Sequence, residues 1–306
     1  MRLFVKIVSL LPLWFLYLLV DVLFFPIVYH LVRYRRRTVR NNLRNSFPDY
    51  SWMQIKTIER KHYRSFCDLV VEVIYGYGAS RAEMARRAKF THIKEYAEIS
   101  KQYGGSIIML GHLGNWEWLT EVGNEVAPYG VKSMHVYRKL RNEKMNDLMT
   151  EIRLKHGSEL VEKKQVLRQM VAQRKLETPF AYGFIADQKP SPSVTHYYWT
   201  NFLNQNTPFL DGAEQLATRF HYPVFYAYIR RPHRGYYEID MQLLTDKPQT
   251  LAPYTITEYF ARRLEQNILE QPHIWLWTHN RWKYTYSEEK DVLKIIHKTN
   301  KETDKE

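Results

Sequence analysis

The sequence predicts an α/β fold, with a central, largely parallel sheet flanked by helices and an N-terminal membrane-anchoring helix in front of it. Three observations predict it. Residues 7–32 are almost uninterruptedly apolar, residues 41–90 carry apolar side chains at helical spacing, and from residue 104 onward short apolar runs alternate with helical stretches. Strands that alternate with helices build parallel sheets, whose sites open outside the carboxyl ends of the strands.

The first segment, "IVSLLPLWFLYLLVDVLFFPIVYHLV", contains one formal charge, Asp21. It is long enough to cross a bilayer, for which about 20 apolar residues suffice. A cleavable signal would end in small residues, whereas Phe24, Phe25, Pro26 and Tyr29 stand here, so the segment is expected to stay attached. Pro12 and Pro26 leave open a kinked or re-entrant course within one leaflet, and a helix buried in a soluble core is the plain alternative. Next comes "RYRRRTVR", with Arg33, Arg35, Arg36, Arg37 and Arg40, against only Arg2 and Lys6 before the segment. This asymmetry predicts that the bulk of the protein faces the cytoplasm.

Residues 41–90, including "WMQIKTIERKHYRSFCDLVVEVI", predict two helices before the sheet begins. The strands expected next are "SIIML" before Gly111 and His112, "SMHVY" before Arg138, "FAYGFIA" before Asp187 and "PVFYAYI" before Arg230. "YEIDMQLL", residues 237–244, predicts an antiparallel or edge strand. "TITEYFARRLEQNILEQP" predicts a helix with a Thr255–Glu258 capping box and a stop at Pro272. The division expected is an anchor at 1–32, one catalytic domain at 33–286 and a charged tail at 287–306.

With 45 Lys and Arg against 32 Asp and Glu, the formal charge is +13, which favours anionic partners: nucleic acid, a phospholipid surface or an acidic carrier protein. Neither a helix-turn-helix nor an RNA-recognition motif supports the nucleic-acid reading of a membrane-anchored binding protein. The lone cysteine, Cys67, lies in an apolar pattern. It excludes an intrachain disulfide and a cysteine-based zinc set, and is expected to be a buried structural thiol. The glycine-rich phosphate loops of kinases and dehydrogenases are absent, as is the G-x-S-x-G elbow of a covalent serine mechanism.

The stretch "GHLGNWEW", residues 111–118, sets His112 and Glu117 five positions apart behind a predicted strand. On one continuous helix such residues sit about 140° apart around the axis, so His112 is expected in the turn before the helix, permitted by Gly111 and Gly114. Glu117 would then reach back to one imidazole nitrogen while the other faces the pocket, fixing the tautomer of a general base. No second histidine lies four residues on, so the zinc-protease pattern is not met. A histidine satisfied within the fold is the alternative reading of this pair.

At these residues the chain resembles the bacterial lipid A biosynthesis acyltransferases, of the lysophospholipid acyltransferase superfamily. The resemblance covers nearly the whole chain: the N-terminal anchor, "VRNNLRNSFP", "GHLGNWEW", "YRKLRNEKMNDLMTEIRLKHG", "FIADQKP" and "WLWTHNRWK", in that order. It implies transfer of a fatty acyl chain from acyl carrier protein to a hydroxyl of a glucosamine-based lipid at the inner leaflet of the cytoplasmic membrane. It implies no cofactor, metal or nucleotide and no nucleic-acid partner.

In that reading His112 and Glu117 look like the family's H-x4-D/E pair, with His112 as base and Glu117 as its support. Arg138 is similar to the family's tyrosine-arginine position and would steady the oxyanion or an acceptor phosphate. Asp187 and Gln188 resemble the Asp-Gln pair, the carboxylate orienting Arg138 or bonding the sugar. Asn142, Arg153 and Gly157 match the spacing that follows the arginine, with Arg153 near an anionic headgroup. Asn115, Asn142, Arg153 and Gln188 are the substrate-binding candidates. The chain departs from many relatives at Asp211–Gly212 and at His279-Asn280-Arg281, which bears on acceptor or chain-length selectivity. Trp275, Trp277 and Trp282 are expected either at headgroup level or in the core. A superfamily acyltransferase acting on a phospholipid, aminolipid or mannosylated lipid is the rival enzyme reading.

Overall fold

The computed structural model describes residues 2–191 and 197–283; the charged tail expected at 287–306 lies outside the described residues. In chain order the helices are α1 (Arg2–Ser9), α2 (Leu13–Leu19), α3 (Arg36–Ser46), α4 (Trp52–Gly78), α5 (Arg81–Arg87), α6 (Ile93–Gln102), α7 (Val122–Val126), α8 (Glu143–Leu154), α9 (Val166–Gln173), α10 (Gly212–Phe220) and α11 (Thr255–Glu270). The strands are β1 (Ala88–Thr91), β2 (Gly105–Leu110), β3 (Lys132–Tyr137), β4 (Glu159–Glu162), β5 (Phe180–Ile185), β6 (Tyr198–Phe202), β7 (Gln205–Phe209), β8 (Val224–His233) and β9 (Tyr236–Thr245).

Seven strands form the main sheet in the order β1-β9-β8-β2-β5-β3-β4, with β6 and β7 a separate hairpin. All neighbours run parallel except β8 and β9. The fold is therefore the α/β architecture expected. β2 is buried along its whole length, as a parallel strand covered on both faces must be, and this is why "SIIML" reads as an unbroken apolar run. Successive side chains of a strand point to opposite faces. Phe225 of β8 meets Tyr96 of α6 edge-on at 4.7 Å, while the adjacent Tyr226 lies 5.9 Å from Phe260 of α11. α6 and α11 thus cover opposite faces, and Phe260, Leu264 and Ile268 supply α11's fully buried stripe.

α2 continues through two π-helical segments as one apolar helix from Leu13 to Leu31. The π turns flank Pro26, whose missing N–H breaks the regular ladder. Leu13, Leu16, Val20, Phe25 and Tyr29 of this helix are buried and belong to the main core. Cys67 is buried on α4, and burial followed by Asp68 pushes its thiol up to about 12, the state of an inert structural group.

Two expectations need correction. Within residues 41–90 lie parts or all of three helices, α3, α4 and α5, and the start of the short β1, not two helices alone, because a four-residue strand gives no readable alternation. β9 is antiparallel to β8, one of the two placements expected for it, and β1 pairs along its other side. The Thr255–Glu258 capping box does not form: Thr255 is the first helical residue, Tyr254 caps in the left-handed region at φ 70° with no side-chain bond, and Glu258 pairs with Arg262 at 2.9 Å.

Candidate active site

β2 and β5 run side by side in register, Leu110 opposite Ile185, so the residues that follow them emerge together at the carboxyl edge of the sheet. Gly111–His112 leaves one strand and Asp187–Gln188 the other. The backbone N–H of His112 donates to Asp187 Oδ2 at 2.8 Å, and His112 Nδ1 lies 2.5 Å from Asp187 Oδ1. The Trp275 indole donates to the same carboxylate at 2.8 Å. A side chain at Gly111 would place its Cβ 2.5 Å from Leu264 Cδ1 and 3.2 Å from Asp187 Oδ2, so a larger residue there would push on Leu264 and the carboxylate.

The segment after β2 is held by the chain that follows α11. Gly114 N–H donates to Ile274 O at 2.9 Å, Leu276 N–H donates to His112 O at 3.1 Å, and Leu113 bridges Trp275. The imidazole meets the Trp116 ring edge-on at 4.8 Å. Its second nitrogen, Nε2, faces the Gln188 amide at 3.1 Å, and the His112 side chain is 13 % exposed. With Nδ1–H donated to Asp187, Nε2 presents its lone pair to the Gln188 amide.

Asp187 is only 3 % exposed, and burial by itself would push its pKa up. The charge and hydrogen bonds of His112, with the Trp275 indole, outweigh this and hold it at about 2. Nearby, burial pushes His279 down to about 4, partly opposed by Asp187. Arg281, 1 % exposed, is lowered to about 9 by burial, again with Asp187 opposing. Its Nη2 donates to Pro208 O at 2.6 Å, and its guanidinium lies over the Phe209 ring.

Glu117 does not reach the imidazole. Asn115 has non-helical backbone angles and Glu117 falls in the 3-10 turn Trp116–Glu121, which carries its carboxylate toward α8. There Arg153 grips it with two bonds of 2.7 Å, and the Trp116 indole adds a third at 3.2 Å. Asp187 therefore occupies the place expected for Glu117, and it does not orient Arg138. Arg138 stands exposed just past β3, two strands from β2 at the same sheet edge, and makes no hydrogen bond or ion pair among the described residues. Two strand spacings put it on the order of 10 Å away from His112.

Asn142 is the N-cap of α8, its side chain accepting from Met145 N–H at 3.1 Å. Asn115 is buried, its amide donating to Glu72 at 3.3 Å, and its Oδ1 has no partner among the described residues. Gly157, at φ 77°, touches Asn124 where a Cβ would clash, which accounts for the glycine. Asp211 precedes α10 without a side-chain bond to its first turn's backbone and accepts from the Gln215 side-chain amide at 2.8 Å. Trp275 and Trp277 are core residues and Trp282 donates to Thr207 at 2.7 Å, so the headgroup placement does not hold for them. No group of His, Cys, Asp and Glu suited to a metal occurs among the described residues.

The sequence model of the family described as bacterial lipid A biosynthesis acyltransferase matches residues 2–284. The chain belongs to that family. No curated protein matches it. For this acyltransferase the family sets the class of reaction and a lipid acceptor. A buried Asp–His pair whose second imidazole nitrogen faces only a side-chain amide is an arrangement able to take a proton from an attacking hydroxyl that displaces the amide. Trp275 and the buried His279 and Arg281 escaped assignment to the site. All three lie within the motif "WLWTHNRWK", but nothing in that motif reveals which carboxylate it covers.

Proposed function

We propose that the protein transfers a fatty acyl chain from acyl carrier protein to a hydroxyl of a lipid A precursor, acting at the cytoplasmic face of the inner membrane. The observation that carries the reading is the His112–Asp187 pair, with Nδ1 committed to a carboxylate and Nε2 open to a substrate proton. An acceptor hydroxyl displaces the Gln188 amide and gives its proton to Nε2 as its oxygen attacks the thioester carbonyl. The tetrahedral intermediate collapses with cleavage of the C–S bond. The imidazolium returns the proton to the departing thiolate, leaving an ester, a free carrier thiol and neutral His112.

Asp187 stabilises the imidazolium in this scheme. Glu117 acts at one remove, fixing Arg153 and the indole of Trp116, which contacts the imidazole. Arg138, without a partner among the described residues at the same sheet edge, suits the oxyanion or an acceptor phosphate, and Gln188 suits the acceptor oxygen. Asn115 and Asn142 brace the loop and helix that border the acceptor. Residues 1–32 serve as the membrane anchor and 33–286 as the catalytic domain. The net charge of +13 suits an acidic carrier and an anionic lipid.

Detergent-solubilised protein, acyl carrier protein charged with a fatty acid and a tetra-acylated disaccharide precursor test the reading. The expected result is a product heavier by one acyl group, formed about 10² to 10⁴ times more slowly by His112→Ala. A folded wild type that leaves this acceptor untouched but acylates a phospholipid, aminolipid or mannosylated lipid would select the rival acceptor class.

A further inference from the structure

The apolar N-terminal helix is tied to the globular domain at its middle, not only at its end. Asp21, near the midpoint of Leu13–Leu31, pairs with Arg234 in the β8–β9 turn at 2.7 Å and with Arg64 of α4 at 3.2 Å. Arg234 also grips Asp68 of α4 and lies over the Tyr17 ring at 4.1 Å. The Tyr17 hydroxyl donates to the buried Glu72 of α4 at 2.7 Å. Even Arg2, at the start of α1, pairs with Glu151 of α8 at 3.4 Å.

A helix crossing a bilayer carries its midpoint to the centre of a hydrocarbon layer about 30 Å thick. Crossing would drag Arg64, Arg234 and the domain edge that bears them to that depth, or break every one of these pairs, and charged groups there are costly. The helix instead lies along the domain with its other side bare. Phe4, Ile7, Trp14, Leu18, Val22 and Leu31 are exposed, between 50 % and 75 %.

Where this apolar face ends, α3 begins, and Arg33 just before it lines a cavity of about 480 Å³ with Arg36, Arg37, Arg40 and Arg44 of α3 and Trp52 as a wall. The buried carboxylate of Glu59 fixes Arg36 at 2.8 Å and Arg40 at 2.7 Å. Arg37 and Arg44 make no ion pair or hydrogen bond among the described residues. An apolar face continuous with a cationic cavity matches acyl chains overlaid by anionic headgroups.

We propose that residues 2–32 seat in a single leaflet without crossing it, and that the α3 cavity takes phosphates of anionic lipids in that same leaflet. The proposal rests on the membrane reading above and adds its geometry. Asn42 of α3 donates to Trp277 O at 2.9 Å and His279 O at 3.0 Å, and the next strand of chain, at Leu276, bonds His112. Hydrogen bonds through residues 276–279 thus connect the phosphate cavity to the catalytic imidazole, and the acceptor reaches His112 from the leaflet in which it resides.

The test uses the full chain with Lys6→Cys and Lys247→Cys together, Cys67 remaining buried, in sealed vesicles of 3:1 phosphatidylcholine and phosphatidylglycerol. A membrane-impermeant maleimide added outside is expected to give doubly labelled molecules. Molecules carrying one label each would show a crossing and overturn this inference while leaving membrane binding intact. Failure to float with any vesicle would overturn both readings. In the second arm Arg37→Gln with Arg44→Gln is expected to weaken flotation with anionic vesicles by roughly tenfold or more and to leave phosphatidylcholine vesicles unaffected. An equal loss on both vesicle types, or a detergent-resistant dimer covering the Trp14 face, would overturn the phosphate cavity or the lipid as occupant.

Discussion

At the scale of single residues, the proposed mechanism turns on Asp187. In Asp187→Asn an amide N–H would point at Nδ1 and force the proton onto Nε2, the nitrogen that accepts one in that mechanism. A fall in kcat of up to about 10⁴ with little change in KM is expected. The same residue carries a pH signature. Its folded pKa, about 2, lies below the ordinary carboxylate value of 3.8, so its contribution to stability is fully present above the ordinary value and is lost as pH falls through the folded one. Urea titrations are expected to separate wild type from Asp187→Asn by about 2–3 kcal/mol at pH 6, with the gap closing between about pH 4 and pH 2. A gap that persists at pH 2 would show that the carboxylate charge is not its source. Gly111 gives a steric counterpart. Gly111→Ala sets a methyl 2.5 Å from Leu264 Cδ1 and is expected to cost about 1–3 kcal/mol, recovered in part when Leu264 is also shortened to Ala.

At the scale of elements, the sheet was legible because buried parallel strands are written as short apolar runs, which β2, β5 and β8 carry, while the antiparallel β9 shows the polar–apolar alternation of a half-exposed strand. β1 and β4 have four residues each and mix charge into the run, so pairing in the folded sheet, not local pattern, makes them strands. The site was half legible for a related reason. The sequence spacing ties Glu117 to His112, but adjacency of β2 and β5, which are about 75 residues apart in the chain, decides that Asp187 takes the imidazole. Glu117 instead joins the Trp116–Glu121 turn to α8 through Arg153, a partly buried bidentate pair. Glu117→Ala and Arg153→Ala are each expected to lower stability, each leaving an unpaired charge, whereas the double variant loses less than their sum, a coupling of about 1–3 kcal/mol. Strict additivity in thermal unfolding would mean that the pair does not hold the turn.

At the scale of the whole molecule, the N-terminal helix is part of the fold as much as an attachment. Leu13, Leu16, Val20, Phe25 and Tyr29 lie in the main core, and Tyr17 completes the shell of Glu72, which also receives Tyr237 at 2.7 Å, Arg231 at 3.2 Å and Asn115 of the histidine motif at 3.3 Å. Side chains of this kind stabilise by about 1.5–3 kcal/mol each when buried. Five of them approach the 5–15 kcal/mol that holds a typical domain together. A chain lacking residues 2–31 is therefore expected to lose cooperative unfolding and to aggregate even in detergent, because its removal uncovers core and leaves a buried carboxylate short of a donor. A helix serving only as a tether would leave a folded, active, detergent-independent domain, and thermal melts with size-exclusion profiles of the truncated protein distinguish the two. Tyr17→Phe refines the comparison. It keeps the apolar contacts and removes only the hydroxyl on Glu72, so it is expected to leave the helix docked and to cost about 1–3 kcal/mol. Loss of docking in Tyr17→Phe would place the attachment in the ionic network, and its retention there but not in the truncation would place it in the shared core.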